Sequence, residues 1–420
     1  MKRSIVFAAA LLWSAQLLAA PSEQAVIQQY ADIAHATYED SLTTAVALQR
    51  TIGRLVAEPT EDNLTAARSA WKAARVPYMQ TEALRFGNAI VDEWEGKVNA
   101  WPLDEGLIDY VAGAYGTESD ENPYYAANVI ANEKLMLSGR VIDARTIDRT
   151  LLAETLHELD GIESNVAIGY HAIEFLLWGQ DLNGTGPGAG ARPATDYDAG
   201  NCTGGHCQRR AAYLVAVTGL LVDDLRWITA QWGADGAARK SLLEGDSKVG
   251  LAIILTGMGS LSYGELAGER MKLGLMLHDP EEEQDCFSDN THWSHFYDVQ
   301  GMRNVYTGSY QRVDGSRMEG AGVSALVADR DPRADAAVRA ALDETRAKMQ
   351  RIVDSAEREG IAYDQLIAAG NEQGNAKVAA AIDALLVQTK AIEKAVSVLG
   401  LESIAFEGSD SLDAPQKIAK

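Results

Sequence analysis

The sequence has few basic residues and few cysteines for its length. Lys and Arg number 37 against 60 Asp and Glu, which gives the 420 residues a net charge of −23 at pH 7. A surface this acidic repels phosphate backbones and anionic lipid, so we expect no nucleic acid partner. Hydrophobic residues make up 47% and charged residues 23%, which excludes wholesale disorder and collagen-like repeats. The length suits two or three domains that need no disulfide or metal to complete their cores.

Apolar runs long enough to cross a membrane are not evident after the first 20 residues. Those residues begin with Lys2 and Arg3, continue through an apolar stretch from Ile5 to Leu18, and end in small residues at Ala20. This order is typical of a secretory signal peptide over residues 1–20. An uncleaved anchor is the alternative, but the stretch is shorter than the roughly 20 residues of a span. We therefore expect an exported protein that is soluble once processed.

Only three cysteines are present: Cys202, Cys207 and Cys286. Export permits disulfides, and Thr-Gly-Gly-His between the first two allows a small loop to close. A Cys202–Cys207 disulfide is therefore predicted, with free thiols as the alternative. Metal binding by this pair with His206 is a further alternative, although the rest of a zinc-site pattern is missing. Cys286 is expected to be unpaired and buried.

Convincing strand patterns are absent, and helical periodicity dominates. Apolar residues recur every three or four positions between Val26 and Val56, which predicts one long helix, and a second helix carries Pro77, which is expected to kink it. The eight glycines in residues 179–205 make this segment the best candidate for a junction between two domains. The sequence predicts an all-α protein of two packed helical bundles, residues 21–190 with the motif GYHAIE and residues 191–420.

The sharpest local signal is that motif, residues 169–174. His171 and Glu174 are three positions apart, so on a helix they share a face. An imidazole beside a carboxylate can bind a divalent metal, or act as a base with its orienting partner. A purely structural His–Glu hydrogen bond is the alternative, because His-x-x-Glu is common by chance. The zinc protease pattern H-E-x-x-H, the nucleophile elbow and the nucleotide-binding glycine loops are absent.

A second group of candidates lies on the helix that carries Pro77. Trp71, Arg75, Tyr78 and Glu82 repeat every three or four residues along its apolar stripe. Arg75 and Glu82 are therefore expected to lean inward, toward a partner or a site. The alternative is an internal ion pair that joins two helices.

A third group lies in the second half of the chain. Glu265 and Glu269 are four apart on one helix, and paired carboxylates on an inward face build metal sites in helical bundles. A solvated face with a Glu269–Arg270 charge pattern is the alternative. Within residues 285–292, Ser288 or Asp289 is expected to cap the following helix, on which His295 is expected to be partly exposed.

Taken together, these segments resemble a known family. GYHAIEFLLWGQD is similar to the Gly-x-His-x-x-Glu signature of the imelysin family, which includes proteins known as insulin-cleaving membrane protease and iron-regulated protein A. Further segments resemble the family's blocks in the same order: WKAARVPYMQTEALRFG, VNAWPLDEGLIDYV, NCTGGHCQRRAAYL, SLSYGELAGERM, DCFSDNTH and NVYTGSY. The resemblance covers about residues 25–400.

The resemblance implies an all-helical fold of two bundle-like domains in the bacterial cell envelope. Family members are classed as metallopeptidases and are also linked to iron regulation and uptake. A hydrolytic metal normally has three protein ligands, and His-x-x-Glu supplies at most two. We therefore expect binding of a metal ion or an iron complex, in iron acquisition, with a metal-dependent peptidase of the imelysin class as the alternative.

By the same resemblance, His171 and Glu174 are the metal ligands, and the catalytic pair if the protein is a peptidase. Glu82 is the expected additional ligand, and at least one acidic residue from the second half should line the same cavity. The remaining cavity candidates are Arg75, Tyr78, Asp104, Glu265, Glu269 and Arg270. The expected metal is iron, copper or zinc. Expected partners are the metal ion or iron complex, a peptide substrate for the peptidase, and outer-membrane or other envelope components of iron uptake, in the periplasm or at the outer membrane.

Overall fold

The computed structural model describes residues 20–120, 122–137, 139–401 and 404–418. The expected signal peptide lies outside these residues except for Ala20. The α-helices are, in order, α1 (Glu23–Ala57), α2 (Glu61–Met79), α3 (Ala89–Asn99), α4 (Glu105–Ile108), α5 (Gly169–Trp178), α6 (Cys207–Trp232), α7 (Ala237–Leu243), α8 (Ser247–Ser260), α9 (Gly274–Leu277), α10 (Thr291–Thr307), α11 (Val323–Arg330), α12 (Pro332–Glu359), α13 (Tyr363–Ile367), α14 (Glu372–Leu399) and α15 (Asp410–Asp413).

Two π-helical segments, six short 3-10 helices and two small hairpins complete the described structure. The π segments are Leu151–Leu156 and Leu261–Leu273, and the second joins α8 to α9 without a break. The antiparallel pairs are β1 (Lys134–Leu137) with β2 (Arg140–Asp143), and β3 (Ser309–Gln311) with β4 (Arg317–Glu319). The fold is therefore all-α, as the periodicity predicted.

Helix α1 is the long helix predicted from the first apolar stripe. The Ser22 side chain caps it by accepting from the Ala25 N–H, and its apolar residues from Val26 to Leu55 are buried. The following helix, α2, begins at Thr60, whose hydroxyl accepts from the Asn63 N–H at 3.2 Å. Both starts follow the usual preference for Ser and Thr at helix N-caps.

The hydrophobic core runs through both halves of the chain. Buried apolar residues from Val26 to Leu401 form one continuous cluster. Helix α1 packs against α2, α6 and α8, while α10 packs against both α2 and α12. The division between residues 190 and 191 stays a prediction.

The glycine-rich segment 179–205 is tied down by charges and a covalent bond. Arg192 donates to Asp109 at 2.7 Å and to Asp196 at 3.1 Å, with all three side chains buried. Cys202 and Cys207 form a disulfide, and Cys286 is free and buried, so both cysteine predictions are confirmed.

One expectation about membrane-spanning segments was wrong. The continuous helical stretch Ser247–Leu277 is long and apolar enough to cross a bilayer by length and composition. However, 67% of its most apolar window is buried inside the fold. It packs against α1 and α14, so burial in the protein core accounts for its hydrophobicity.

Helix α5 is placed by a close contact with the end of α3. Gly169 has a φ of +88°, and a Cβ built on it would lie 2.7 Å from the Val98 carbonyl oxygen. Only glycine fits this backbone conformation and this distance. As a result the first turn of α5, which carries His171, lies directly against the segment that contains Asn99 and Trp101.

Gly301 of α10 offers a test of the packing between α10 and the end of α2. A Cβ at this position would lie 2.4 Å from the Gln80 carbonyl oxygen, so Gly301→Ala should lower the free energy of unfolding by about 1–3 kcal/mol. Gly53 of α1 has nothing within 4 Å of the same position, so Gly53→Ala should raise it by up to about 1 kcal/mol. Urea denaturation measures both, and equal effects would contradict the packing described here.

Candidate metal centre

The centre of the site is the predicted pair on α5. The His171 Nδ1 atom lies 3.0 Å from Glu174 Oε2, and neither side chain is exposed to solvent. All ten residues of α5 are buried. An imidazole and a carboxylate in an apolar helix need polar partners, because unpaired buried polar groups are costly.

The partners come from the segment that precedes α10. Asp285 Oδ1 lies 4.0 Å from His171 Nδ1, and Asp285 is itself completely buried. Three possible ligand atoms, one each from His171, Glu174 and Asp285, lie within 4.8 Å of one another. These three residues are called the triad below. The second half of the chain therefore does supply an acidic residue to the site.

The same segment fixes both carboxylates. The backbone N–H and the hydroxyl of Ser288 donate to Glu174 Oε1 at 3.0 and 2.6 Å. Asn290 and Ser294 donate to Asp285 Oδ2 at 3.0 and 2.5 Å. Each carboxylate thus keeps one oxygen near the imidazole and has the other held by hydrogen bonds.

Arg75 of α2 balances the charge of the site. Its guanidinium donates to Asp285 Oδ1 at 2.8 Å and to Asn99 Oδ1 at 2.6 Å, and it is 1% exposed. The rings of three aromatic residues surround it at 5.1–5.6 Å, namely Trp71, Tyr78 and Tyr170. Arg75 thus forms an internal ion pair, and its partner Asp285 is a member of the triad.

Burial sets the protonation of the triad in the metal-free protein. Desolvation and the nearby Arg75 charge lower the pKa of His171 to about 3. Desolvation and the Asp285 charge raise the pKa of Glu174 well above its usual range. Desolvation also pushes the pKa of Asp285 upward, but Arg75 outweighs it and the pKa falls to about 2. At neutral pH the site therefore holds a neutral imidazole and one Arg75–Asp285 ion pair, while burial favours the protonated form of Glu174.

The donor set suits a transition metal. His171 Nε2 is buried and has no hydrogen-bond partner among the described residues. One imidazole and two carboxylates are ligands that iron and zinc accept, and three protein ligands are the usual number at an open metal site. Two ligand atoms bound to a tetrahedral ion at about 2.1 Å lie roughly 3.4 Å apart. Here His171 Nδ1 lies 3.0 Å from Glu174 Oε2 and 4.0 Å from Asp285 Oδ1. Trp101, whose ring lies 5.1 Å from the His171 ring, closes one side with an apolar surface.

A second charged cluster has Arg270 at its centre. Arg270 lies 2.6 Å from Glu82, 2.7 Å from Glu265 and 3.0 Å from Asp298. Burial opposes its charge, but the three carboxylates outweigh that effect and raise the pKa of Arg270. Glu82 is thus paired with Arg270 and does not belong to the triad, so its role as a metal ligand stays a prediction.

Other candidates lie away from the triad or face differently. Glu269 is exposed, which corrects its expected inward position, whereas Arg270 is buried, so the solvated face includes Glu269 but not the expected Glu269–Arg270 charge pattern. Asp104 accepts from Asn122 and Ser164 at 2.5 and 2.6 Å. Tyr78 is buried beside Arg75.

Two expectations for the start of α10 were also wrong. The helix begins after Asn290 rather than after Ser288 or Asp289, because Ser288 is engaged by Glu174. His295 is completely buried instead of partly exposed, with its ring 5.0 Å from that of Tyr363.

Sequence reasoning missed three residues of these clusters: Asp285, Ser288 and Asp298. The first two lie in the segment DCFSDNTH, which resembles one of the family's blocks but predicts by itself only a helix start. A dense run of polar residues around Cys286 and Phe287 was the available signal, because a segment that is both polar and buried must have internal partners.

Comparisons with known proteins identify the family to which the chain is similar. The family model described as imelysin, peptidase M75, matches residues 34–392. An iron-regulated protein A of Synechococcus elongatus is 34% identical over 86 residues, which are 20% of this chain and 22% of that protein. The alignment thus spans about a fifth of that relative's length.

A solved structure shares the fold. It is the crystal structure of a protein from Parabacteroides distasonis described as an iron-regulated protein A precursor. The TM-score is 0.63 at 18% identity, and the match covers 91% of this chain and 97% of the other. At this identity the likeness concerns the fold alone.

Removal of the Asp285 charge should destabilise the protein strongly. Asp285→Asn leaves Arg75 buried without its counter-ion, which should lower the free energy of unfolding by about 3–5 kcal/mol. Asp343 forms a largely exposed pair with Arg303, so Asp343→Asn should cost at most about 1 kcal/mol. Chemical denaturation of both variants distinguishes the two cases, and a loss below 1 kcal/mol for Asp285→Asn would contradict the ion pair's role.

Substitution of Glu174 should have a pH-dependent effect on stability. Because the pKa of Glu174 is raised in the folded protein, the unfolded chain binds fewer protons than the folded protein above about pH 4.5. The wild type should therefore lose stability relative to Glu174→Gln as the pH rises from 4 toward the folded-state pKa. Unfolding free energies of both proteins at pH 4 and pH 8, with a chelator present, measure this. A difference independent of pH would show that Glu174 is ionised in the metal-free fold.

Proposed function

The chain belongs to the imelysin family, and on that premise we propose that it binds a divalent metal ion or an iron complex at the triad. The observation that carries the proposal is the buried group of His171, Glu174 and Asp285, with donor atoms within 4.8 Å of one another. Asp285 is thereby the third protein ligand, in place of the expected Glu82.

Iron is the favoured ion. The triad contains no thiolate, and its imidazole and carboxylates suit iron, which accepts both kinds of ligand. Zinc fits the ligand number and copper fits the imidazole, so both remain candidates. The names of the relatives from Synechococcus and Parabacteroides, both iron-regulated protein A, support a role in iron acquisition.

Metal binding would also change the protonation of the site. Because burial raises the pKa of Glu174 and a metal binds the carboxylate form, affinity should increase with pH. Arg75 stays beside Asp285 and limits the affinity for more highly charged ions.

A metal-dependent peptidase is the second candidate. It is favoured by the three protein ligands, the number that a hydrolytic metal uses, and by the peptidase class in the family's description. The burial of the triad opposes it, since all three side chains are completely enclosed and a peptide bond would have to reach them. Binding without turnover is therefore the preferred proposal.

The proposal places the protein outside the cytoplasm, in the periplasm or at the outer membrane. Three observations support export: the signal-like residues 1–20, the Cys202–Cys207 disulfide, and the word precursor in the description of the Parabacteroides relative. Outer-membrane or other envelope components of iron uptake are the proposed partners, together with the ion or iron complex itself.

Metal analysis and titration of untagged protein test the proposal. We expect about one iron, copper or zinc ion per chain, and His171→Ala and Glu174→Gln should each weaken binding by at least about 100-fold, since changes in the outer ligand shell alone cost about 10–100-fold. His157→Ala is the matched control, because His157 lies outside the triad. Affinity of the wild type should rise with pH, because the pKa of Glu174 is raised.

The same proteins separate binding from catalysis. An unfolded protein and a peptide mixture serve as substrates, with and without a chelator. Robust, chelator-sensitive cleavage by the wild type that both triad variants lose would establish the peptidase and overturn binding without turnover. Equal metal affinity of wild type and triad variants would place the ion elsewhere and refute the proposed site.

A further inference from the structure

Another cluster of carboxylates lies outside the triad. Glu283 and Asp289 come from the segment before α10, and Asp364 comes from the short helix α13. One oxygen of each lies within 4.8 Å of the others. Glu283 and Asp364 are each 1% exposed, while Asp289 is half-buried. These three residues are called the acidic site below.

Four of the six carboxylate oxygens of the acidic site lack a hydrogen-bond partner in the described part of the chain, namely Glu283 Oε1, Asp289 Oδ1 and both oxygens of Asp364. The nearby backbone of Asp364 and Gln365 and the Thr291 hydroxyl lower the pKa values of Asp364 and Glu283 only in part, because burial outweighs them. Buried carboxylates are costly unless they are paired, hydrogen bonded or bound to a cation. Elsewhere in the segment Ser288 and Asn290 make hydrogen bonds, while Gln284 Oε1 also lacks a partner. The acidic site is therefore where unpartnered carboxylate oxygens converge.

We propose that the acidic site binds Ca²⁺. Its ligands are oxygen atoms only, which favours a hard cation, whereas the imidazole of the triad favours a transition metal. Ca²⁺ accepts six to eight oxygens in flexible geometry, and Mg²⁺ usually keeps its waters and takes one or two carboxylates. Three convergent carboxylates therefore fit Ca²⁺ better. The half-buried Asp289 provides the side from which solvent and the ion enter.

Titration of the full-length, chelator-treated protein with Ca²⁺ tests this site. Calorimetry should show one Ca²⁺ per chain, and a Ca²⁺ concentration 100-fold above Kd should raise the melting temperature by about 3 °C. Asp364→Asn and Asp289→Asn should each weaken binding by at least about tenfold, because each removes one of three charged ligands. Asp383→Asn, an exposed change on α14, is the matched control and should bind like the wild type.

The variants also keep the acidic site separate from the triad. Glu174→Gln should bind Ca²⁺ normally, and Asp289→Asn should keep the transition-metal binding of the wild type, so failure of one proposal leaves the other intact. Asp289→Asn is the safer variant for folding, because asparagine tolerates the φ of +52° found there. Absence of Ca²⁺ binding by the wild type, retention of binding in both acidic-site variants, or an equal response to Mg²⁺ would overturn the assignment.

Discussion

The buried ion pair between Arg75 and Asp285 is the interaction on which the candidate site depends. It joins α2 to the segment before α10, two parts of the chain separated by 210 positions, at 2.8 Å. Through Asn99 it also reaches the end of α3, against which α5 is packed. Because both charges are enclosed, neither can be removed without leaving the other unpaired. The triad is therefore assembled around a charge pair that is already satisfied in the absence of a metal.

The electrostatics of the interior follow from this arrangement. An acidic protein that buries carboxylates must neutralise them, and the described structure uses three means. Arg75 pairs with Asp285, Arg270 pairs with Glu82, Glu265 and Asp298, and burial raises the pKa of Glu174, which favours its neutral form. The third means is reversible, since a cation can replace a proton but not an arginine. This explains why Glu174, and not Glu82, is the carboxylate best placed to respond to a metal.

Much of the fold could be predicted from the sequence, because the buried face of a long amphipathic helix appears in the sequence as a regular spacing of apolar residues. The long helix α1 and the small disulfide both depend on residues close together in the chain. His171 and Glu174 were found for the same reason. Asp285 was not found, because nothing within a few residues of it shows that this segment contacts α5. The contact, in which Ser288 donates to Glu174, spans 114 positions of the chain.

The inward direction of a charged residue was equally hard to predict. Glu265 and Glu269 are four apart, and an ideal α-helix would place them on one face. The segment Leu261–Leu273 is instead π-helical, with more residues in each turn, so Glu265 reaches Arg270 and Glu269 is exposed. The α-helical period of 3.6 residues does not apply to this segment, and the sequence carries no plain sign of the change to a π-helix.

The segment from Glu283 to Asp289 has a consequence for how the protein can vary. Asp285 belongs to the triad and Ser288 donates to Glu174, while Glu283 and Asp289, on either side of them, belong to the acidic site, so seven residues of one backbone serve both sites. A residue inserted into or deleted from this segment would displace the residues of both sites at once. A compensating change at one site alone could not restore the other. We therefore expect length changes among relatives to fall in the turn at Pro280–Glu282, which has no buried residue, while the seven-residue segment keeps its length.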